Sequence, residues 1–216
     1  MREALRVKTP SPMTFHRPFP GCSITSGDGS LEHAELSDDE RALHQTLAPA
    51  RSARWVRGRR AARDALVQVL GSPLPATTSI LRDPQGAPEV HGLRGMHLSI
   101  AHSGERSAAL ASASAPVAID FERITDRTPF FEERAFTPEE RVWLDTQPLR
   151  AEAATRLWAA REVAAKLSGQ GLQGQPRRWA LSEACGETLF ICGVPVTTQV
   201  FEHHVLAWSH GEGVLS

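Results

Sequence analysis

The spacing of hydrophobic and polar positions changes period several times along the chain, and the changes mark its elements. Residues 1–30 are rich in Pro, Gly, Ser and Thr with little periodicity, and read as a loose lead-in with a single strand. Ser37 can cap a helix, with Glu40 three residues on completing a capping box. A second helix is predicted over about 53–70, where Trp55, Ala62, Leu66, Val69 and Leu70 share a face and Gly71 supplies the stop. The middle then turns to a period of two. Ile80-Leu81-Arg82 is a short strand, followed by the turn Asp83-Pro84-Gln85-Gly86. In 96–101, Met96, Leu98 and Ile100 point one way, and His97, Ser99 and Ala101 the other. Residues 107–113 and 117–124 read as two more strands around a break at Pro116.

Helices return at 137–145, with Thr137 as cap, Pro138 first and Glu140 third, and at 150–168. Four short strands follow, at 178–182, 187–191, 195–200 and 204–208. Helices then strands, twice over, predict an α+β protein of two similarly built halves, residues 1–115 and 116–216. No residue-level repeat stands out between them, so the duplication rests on element order.

Composition narrows the class. The chain has 216 residues, 41% hydrophobic and 23% charged, with a formal net charge of −1. No whole-molecule field therefore argues for nucleic acid or a membrane. Charge is uneven locally: Glu32, Glu35, Asp38, Asp39 and Glu40 precede Arg51, Arg54, Arg57, Arg59, Arg60 and Arg63, a pairing suited to local anion binding. Cys22, Cys185 and Cys192 lack the spacing of a zinc site or disulfide framework. No signal-peptide core and no apolar run of the ~20 residues a membrane helix needs are present, so the expectation is a reduced, cytoplasmic protein. Lysine occurs only at Lys8 and Lys166, which draws attention to Lys166.

Three stretches can carry chemistry, and each has a plainer reading. Asp120 and Glu122 share one face of the strand Val117–Glu122, with Ile119 and Phe121 on the other. Two close carboxylates suit a hard cation such as Mg²⁺, or simply form a solvated strand face. Trp158, Glu162 and Lys166 fall at every fourth position of one helical stripe. The glutamate can serve a metal or take a proton and the lysine can neutralise a phosphate, or the pair is a surface stabiliser beside a core Trp. Ser99…His102-Ser103-Gly104 runs from strand to turn, where imidazole, hydroxyls and backbone amides suit a phosphate, or only close a turn. In the arginine-rich helix, Arg59 and Arg63 can meet the same anion or lie on a solvated face. No aromatic stacking pattern supports nucleic acid, and the remaining histidines, His203 and His204 among them, lack metal-ligand spacing.

Taken together and in order, these blocks resemble the signature series of the 4′-phosphopantetheinyl transferase superfamily, most closely its larger two-half type. Supporting marks are Glu40-Arg41, Gly58-Arg59…Arg63, Asp83–Pro88, Phe136…Glu140 and Gly169–Leu172. The resemblance implies a pseudo-twofold α+β monomer with coenzyme A between its halves. It implies transfer of 4′-phosphopantetheine to a serine of an acyl or peptidyl carrier protein, releasing adenosine 3′,5′-bisphosphate. By position, Asp120, Glu122 and Glu162 would hold Mg²⁺. Arg41, Arg82, Gly86, Ser99 and His102 would meet the nucleotide, Lys166 the pyrophosphate, and Glu162 would also act as base.

Three departures stand out: Ala87 replaces the usual lysine after the turn glycine, Ala101 the usual serine before the histidine, and Arg161 the usual lysine. The first two remove a cation and a hydroxyl from the expected coenzyme A contacts. They keep open a binding or regulatory relative without turnover, and a Mg²⁺-dependent nucleotide phosphohydrolase that acts without a carrier protein is a separate alternative.

Overall fold

A computed structural model describes residues 14–26 and 36–211. Its helices and antiparallel strands are of the mixed α+β class that the sequence pattern predicts, and they are described in two parts, each of which opens on strands. The first part holds β1 (Thr14–His16), β2 (Cys22–Ser26), α1 (Asp38–Gln45), α2 (Pro49–Leu70), β3 (Ser79–Arg82), β4 (Pro88–His91), β5 (His97–Ser103) and β6 (Arg106–Ser112). The second holds β7 (Val117–Arg123), α3 (Pro129–Ala135), α4 (Pro138–Asp145), α5 (Arg150–Leu167), β8 (Leu181–Cys185), β9 (Thr188–Ile191), β10 (Val194–Phe201) and β11 (His204–His210).

Each part lays one long helix on an antiparallel sheet. Strand order is β1-β2-β6-β5 in one sheet and β7-β11-β10-β9-β8 in the other, with β3-β4 a separate hairpin. The series β2-β6-β5 and β7-β11-β10 correspond, each opening strand pairing with the last strand of its half. Under α2, Ala61, Ala62, Ala65 and Leu66 pack on Leu98, Ala109 and Ala111. Under α5, Leu157, Ala160, Val163 and Ala164 pack on Val196, Val205 and Ala207. Alanine on these faces lets helix and sheet approach closely, which fixes where the longer side chains beside them emerge.

Between the sheets the halves share a core. Cys22, Ile24, Ala101, Ala108 and Leu110 meet Val117, Ile119, Phe121 and Leu206. Burying a side chain such as Phe121 stabilises by roughly 1.5–3 kcal/mol. At the seam the edge strands β5 and β7 lie side by side, linked by hydroxyls. Ser99 Oγ accepts from Ile119 N at 3.1 Å and Ser103 Oγ from Arg123 N at 3.0 Å. Two edge amides that would otherwise lack a partner are satisfied this way. Arg106 and Glu202 also pair across the halves at 2.5 Å.

Several boundaries differ from the pattern-based expectations. Helix α2 begins at Pro49, a turn earlier than 53, because proline is well placed in the first turn of a helix. The strand expected at 178–182 is a 3-10 turn at Pro176–Arg178 followed by β8 from Leu181. Helix α3 was not foreseen, although Thr128 accepts from Phe131 N and Pro129 follows it, a sound start signal. Residues 14–26 give two strands where one was expected, and β4 pairs with β3 across the anticipated turn. The rest of the lead-in, with Glu32 and Glu35, lies outside the described residues.

Candidate active site

Strand β7 and helix α5 bring the carboxylates together. Alternation on β7 buries Ile119 and Phe121 in the shared core and turns Asp120 and Glu122 towards α5. There, Lys166 Nζ donates to Asp120 Oδ1 at 2.7 Å and to Ile119 O at 2.9 Å. Trp158 Nε1 donates to Glu122 Oε1 at 3.3 Å, and Phe131 of α3 packs edge-on against Trp158. Arg127 lies 3.8 Å from Glu122 Oε2 with its guanidinium over Phe131.

The charges are poorly balanced. Burial, followed by the field of Asp120, pushes the Glu122 carboxyl above its usual range. Glu162 moves the same way through burial and Asp120, with Lys166 opposing. Asp120 Oδ2 is buried without a hydrogen-bond partner. Clustered anions, an unpartnered buried oxygen and an all-oxygen donor set fit a hard divalent cation. Among the described residues no three such side chains are gathered into a ready-made metal cage, and the lysine ammonium holds one oxygen of Asp120.

A cleft of about 560 Å³ lies on the other side, walled by α2, the β3–β4 turn and β5. Arg51, Arg54, Trp55, Arg59, Arg82, Gly86, Ile100 and His102 line it. The turn closes when Gly86 N donates to Asp83 O, with Gly86 at φ +92°, a conformation glycine adopts without strain. Gly58 is needed for a different reason. A Cβ there would stand 2.6 Å from the His102 ring, so only glycine lets α2 seat against it.

His102 is half-buried, with Nδ1 2.7 Å from Ser107 Oγ. Burial, reinforced by Arg54, Lys166, Arg57 and Arg59, pushes its pKa down to about 3, so it is neutral at pH 7. Arg59 lies over the Trp55 ring at 4.7 Å, only 4% exposed. Its Nε and Nη2 have no hydrogen-bond partner, and Nε stands 3.8 Å from Glu40. Burial lowers its pKa to about 10, which still leaves it charged at pH 7. A buried, under-paired guanidinium facing a cavity is the arrangement that an anion completes.

The residues singled out from sequence are distributed as follows. Asp120, Glu122 and Lys166 come together with Trp158, and Glu162 shares their field. Arg82, Gly86 and His102 share the cleft. Ser99 does not reach it, because strand alternation turns its hydroxyl to the seam and Ile119 N. Arg41 lines a separate depression, where it donates to Leu36 O and pairs with Asp38. Arg59 and Arg63 do meet one anion, but it is the buried carboxylate of Glu40 rather than a ligand: Arg59 stands 3.8 Å from Oε1, while Arg63 donates to Oε2 and to Thr78 O and leaves the cleft to Arg59. Arg161 is fully buried and donates to Glu140, Trp179 O and Ala135 O, so it faces no cavity. Sequence reading passed over Arg51 and Arg54 individually, although Arg51, Trp55 and Arg59 sit at every fourth position and so mark one helical face.

Residues 116–209 match the family model of the 4′-phosphopantetheinyl transferase superfamily. The match spans 94 of the chain's 216 residues and lies wholly in its second half. The superfamily match therefore contains β7 with Asp120 and Glu122, and α5 with Glu162 and Lys166. Among solved structures, a holo-(acyl-carrier-protein) synthase from Bacillus anthracis str. Ames, in complex with CoA (3′,5′-ADP), is 27% identical to the chain. That match covers 37% of this chain and 75% of that one, with a TM-score of 0.34, too low to compare the folds. No curated protein matches the chain. No described helix is long and apolar enough to cross a membrane.

Proposed function

We propose that this transferase moves 4′-phosphopantetheine from coenzyme A to a serine hydroxyl of an acyl or peptidyl carrier protein, as a holo-[acyl-carrier-protein] synthase working as a cytoplasmic monomer. The observation that carries the reading is the pairing of two unlike sites. A carboxylate cluster held by Lys166 lies beside an arginine-lined cleft, close enough that Lys166 lowers the pKa of His102.

Coenzyme A is a nucleotide bisphosphate joined to an arm through a pyrophosphate, and the two sites divide it accordingly. Arg59, Arg82 and neutral His102 take the nucleotide phosphate and base side, with Arg51 and Arg54 at the rim. Lys166 faces the pyrophosphate. Asp120, Glu122 and Glu162 would hold Mg²⁺, which when bound supplies charge neutralisation for the pyrophosphate. Glu162, on the same helical stripe as Lys166, would also take the proton of the carrier serine, and a positioned base is worth typically ~10²–10⁴-fold. The serine oxygen then bonds to the β-phosphorus as the bond to the bridging oxygen breaks, and adenosine 3′,5′-bisphosphate departs with Lys166 and the cleft arginines around its charge. In-line placement of the two ligands supplies much of the remaining acceleration.

The test is mass spectrometry of a panel of carrier proteins incubated with this protein, coenzyme A and Mg²⁺. Transfer adds the phosphopantetheine mass to a carrier serine and releases the bisphosphate. Release of bisphosphate with every carrier unlabelled would replace this reading with hydrolysis.

A further inference from the structure

We propose that Glu140 and Glu40 are positioning residues, one for each site. Glu140 with Arg161 sets the register of Glu162 and Lys166, and Glu40 with Arg63 sets the walls of the nucleotide cleft. This rests on the transfer reaction proposed above.

The two glutamates occupy matching junctions. Each is third in a short helix, α1 or α4, and its Oε2 accepts from the cap residue's amide: Ser37 N at 3.0 Å, Thr137 N at 2.7 Å. Each Oε1 accepts from the hairpin strand after the long helix: Ile80 N at 3.2 Å, Leu181 N at 2.8 Å. An arginine of the long helix completes each carboxylate, Arg63 on Glu40 and Arg161 on Glu140, the latter at 2.5 Å. Each arginine also donates to the carbonyl two residues before that strand amide, Thr78 O at 3.1 Å and Trp179 O at 2.7 Å. Glu40 is 0% exposed and Glu140 4%.

A capping box by itself needs no buried carboxylate, and buried ion pairs often stabilise no better than apolar replacements. What such a pair does give is direction, because each oxygen is committed to a donor on a different element. Helix α5 is therefore pinned to β8 and α4 one residue before Glu162 and little more than a turn before Lys166. In the other half, Glu40 fixes β3 two residues before Arg82 and stands behind Arg59. A misplacement of about 1 Å far from the chemistry can cost ~10²-fold in rate.

The arginines reach from different turns of their helices, and that difference has a consequence. Trp55, Ala61, Ala62 and Arg63 of α2 match Trp158, Ala164, Ala165 and Lys166 of α5 in spacing. The cation that clamps Glu40 thus corresponds to Lys166, which is released for Asp120 because Arg161 takes the clamp.

The experiment compares Glu140→Gln with Glu40→Gln in the full chain, measuring carrier labelling, coenzyme A affinity by calorimetry and the thermal midpoint. The amide keeps the shape but turns a donor towards an N–H. Glu140→Gln is expected to lower kcat by about 10–100-fold, the scale of a small misplacement of the reacting groups, with coenzyme A affinity within about threefold. Glu40→Gln is expected to weaken coenzyme A by about tenfold and to keep kcat at saturation. Arg161→Lys, whose single ammonium cannot span Glu140, Trp179 O and Ala135 O, should reproduce the Glu140→Gln loss even if that variant folds poorly. Variants that change only the thermal midpoint, or that move kcat and KM together in both halves, overturn the proposal while wild type still labels carriers. Wild type that binds no coenzyme A overturns the functional reading and this one with it.

Discussion

Helix α2 presents Trp55, Arg59 and Arg63 along one stripe, and α5 presents Trp158, Glu162 and Lys166 at the same spacing. Both stripes rise from an alanine-rich underside packed on a three-strand series of the same order. The middle position carries opposite charge. In α2 it is a guanidinium over an indole, under-paired and facing a cavity. In α5 it is a carboxylate whose proton affinity rises beside Asp120. One scaffold thus presents arginines along a cleft in one half and carboxylates in the other, and the two helices differ in charge at this one position. Under the proposed reaction, substrate grip and chemistry fall to different halves, and substitutions can separate them.

The largest effect is expected on the carboxylate side. Asp120→Ala removes the partner of Lys166 and the unpartnered oxygen together, and transfer should fall by at least about 10³-fold. Circular dichroism should show the fold intact, since Asp120 points away from the core shared by Ile119 and Phe121. Retained labelling with the wild-type Mg²⁺ dependence would refute the assignment of metal binding to this half.

On the other wall the matching change is Arg59→Ala. Charge-assisted hydrogen bonds contribute about 1.5–3 kcal/mol each, so coenzyme A affinity should drop by roughly 10–100-fold while kcat at saturation changes little. Titration calorimetry with adenosine 3′,5′-bisphosphate checks it without a carrier. If kcat falls as steeply as affinity, the division of labour between the halves is wrong.

How much of this division was legible in the sequence depends on how local each signal is. The caps at Ser37 and Thr137 were readable because donor and acceptor lie three residues apart. Asp120 and Glu122 were readable because strand alternation is a property of the backbone. The assignments of Ser99 and Arg41 did not lead to the cleft, because the seam with β7 and the contacts of α1 decide where those side chains point. Arg161 stood out only as a departure from the usual lysine, and its role as a buried clamp was not legible, since its partners Glu140, Ala135 and Trp179 become neighbours only on folding. The common spacing of Trp55, Arg59 and Arg63 with Trp158, Glu162 and Lys166 shows only when α2 and α5 are set side by side, because Arg59 and Glu162 carry opposite charge.

A smaller effect tests the electrostatics of the cleft. His102 has a folded-state pKa of about 3 against an ordinary value near 6.5, so the unfolded chain binds its proton first. Its contribution is therefore fully present above about pH 6.5 and is lost as pH falls towards 3, at up to about 1.4 kcal/mol per pH unit. His102→Gln should flatten that part of the stability profile, measured by chemical denaturation between pH 6.5 and 4. Bound nucleotide phosphate should raise the His102 pKa, read by NMR titration of the ring. A ring pKa that stays put on saturation would place the phosphate elsewhere.

The smallest change is expected at Ala87, where a lysine would restore the cation that the family resemblance leads one to expect. From sequence alone that lysine should tighten coenzyme A, since a new charge-assisted bond to phosphate is worth more than 1 kcal/mol. The geometry reduces the expectation. Ala87 N already donates to Asp83 Oδ1 at 2.8 Å, its side chain is exposed, and it is Gly86 rather than Ala87 that lines the cleft. Within the cleft, Arg59 and Arg82 already supply cationic charge, and the two repel one another enough to lower the Arg59 pKa further. A third cation would add to that repulsion in the free protein and gain mostly screened, solvent-exposed attraction in the complex. Ala87→Lys should therefore alter coenzyme A affinity by no more than about threefold, with a dependence on ionic strength that calorimetry in low and high salt can separate. The informative partner is the double variant with Arg59→Ala. If the helix arginine has taken over the role of the turn lysine, Ala87→Lys should recover affinity in the Arg59→Ala background by more than it adds to wild type. Equal gains in both backgrounds would mean that the two positions meet different parts of the ligand, and the contrast between the halves would then rest on Glu162 and its neighbours alone.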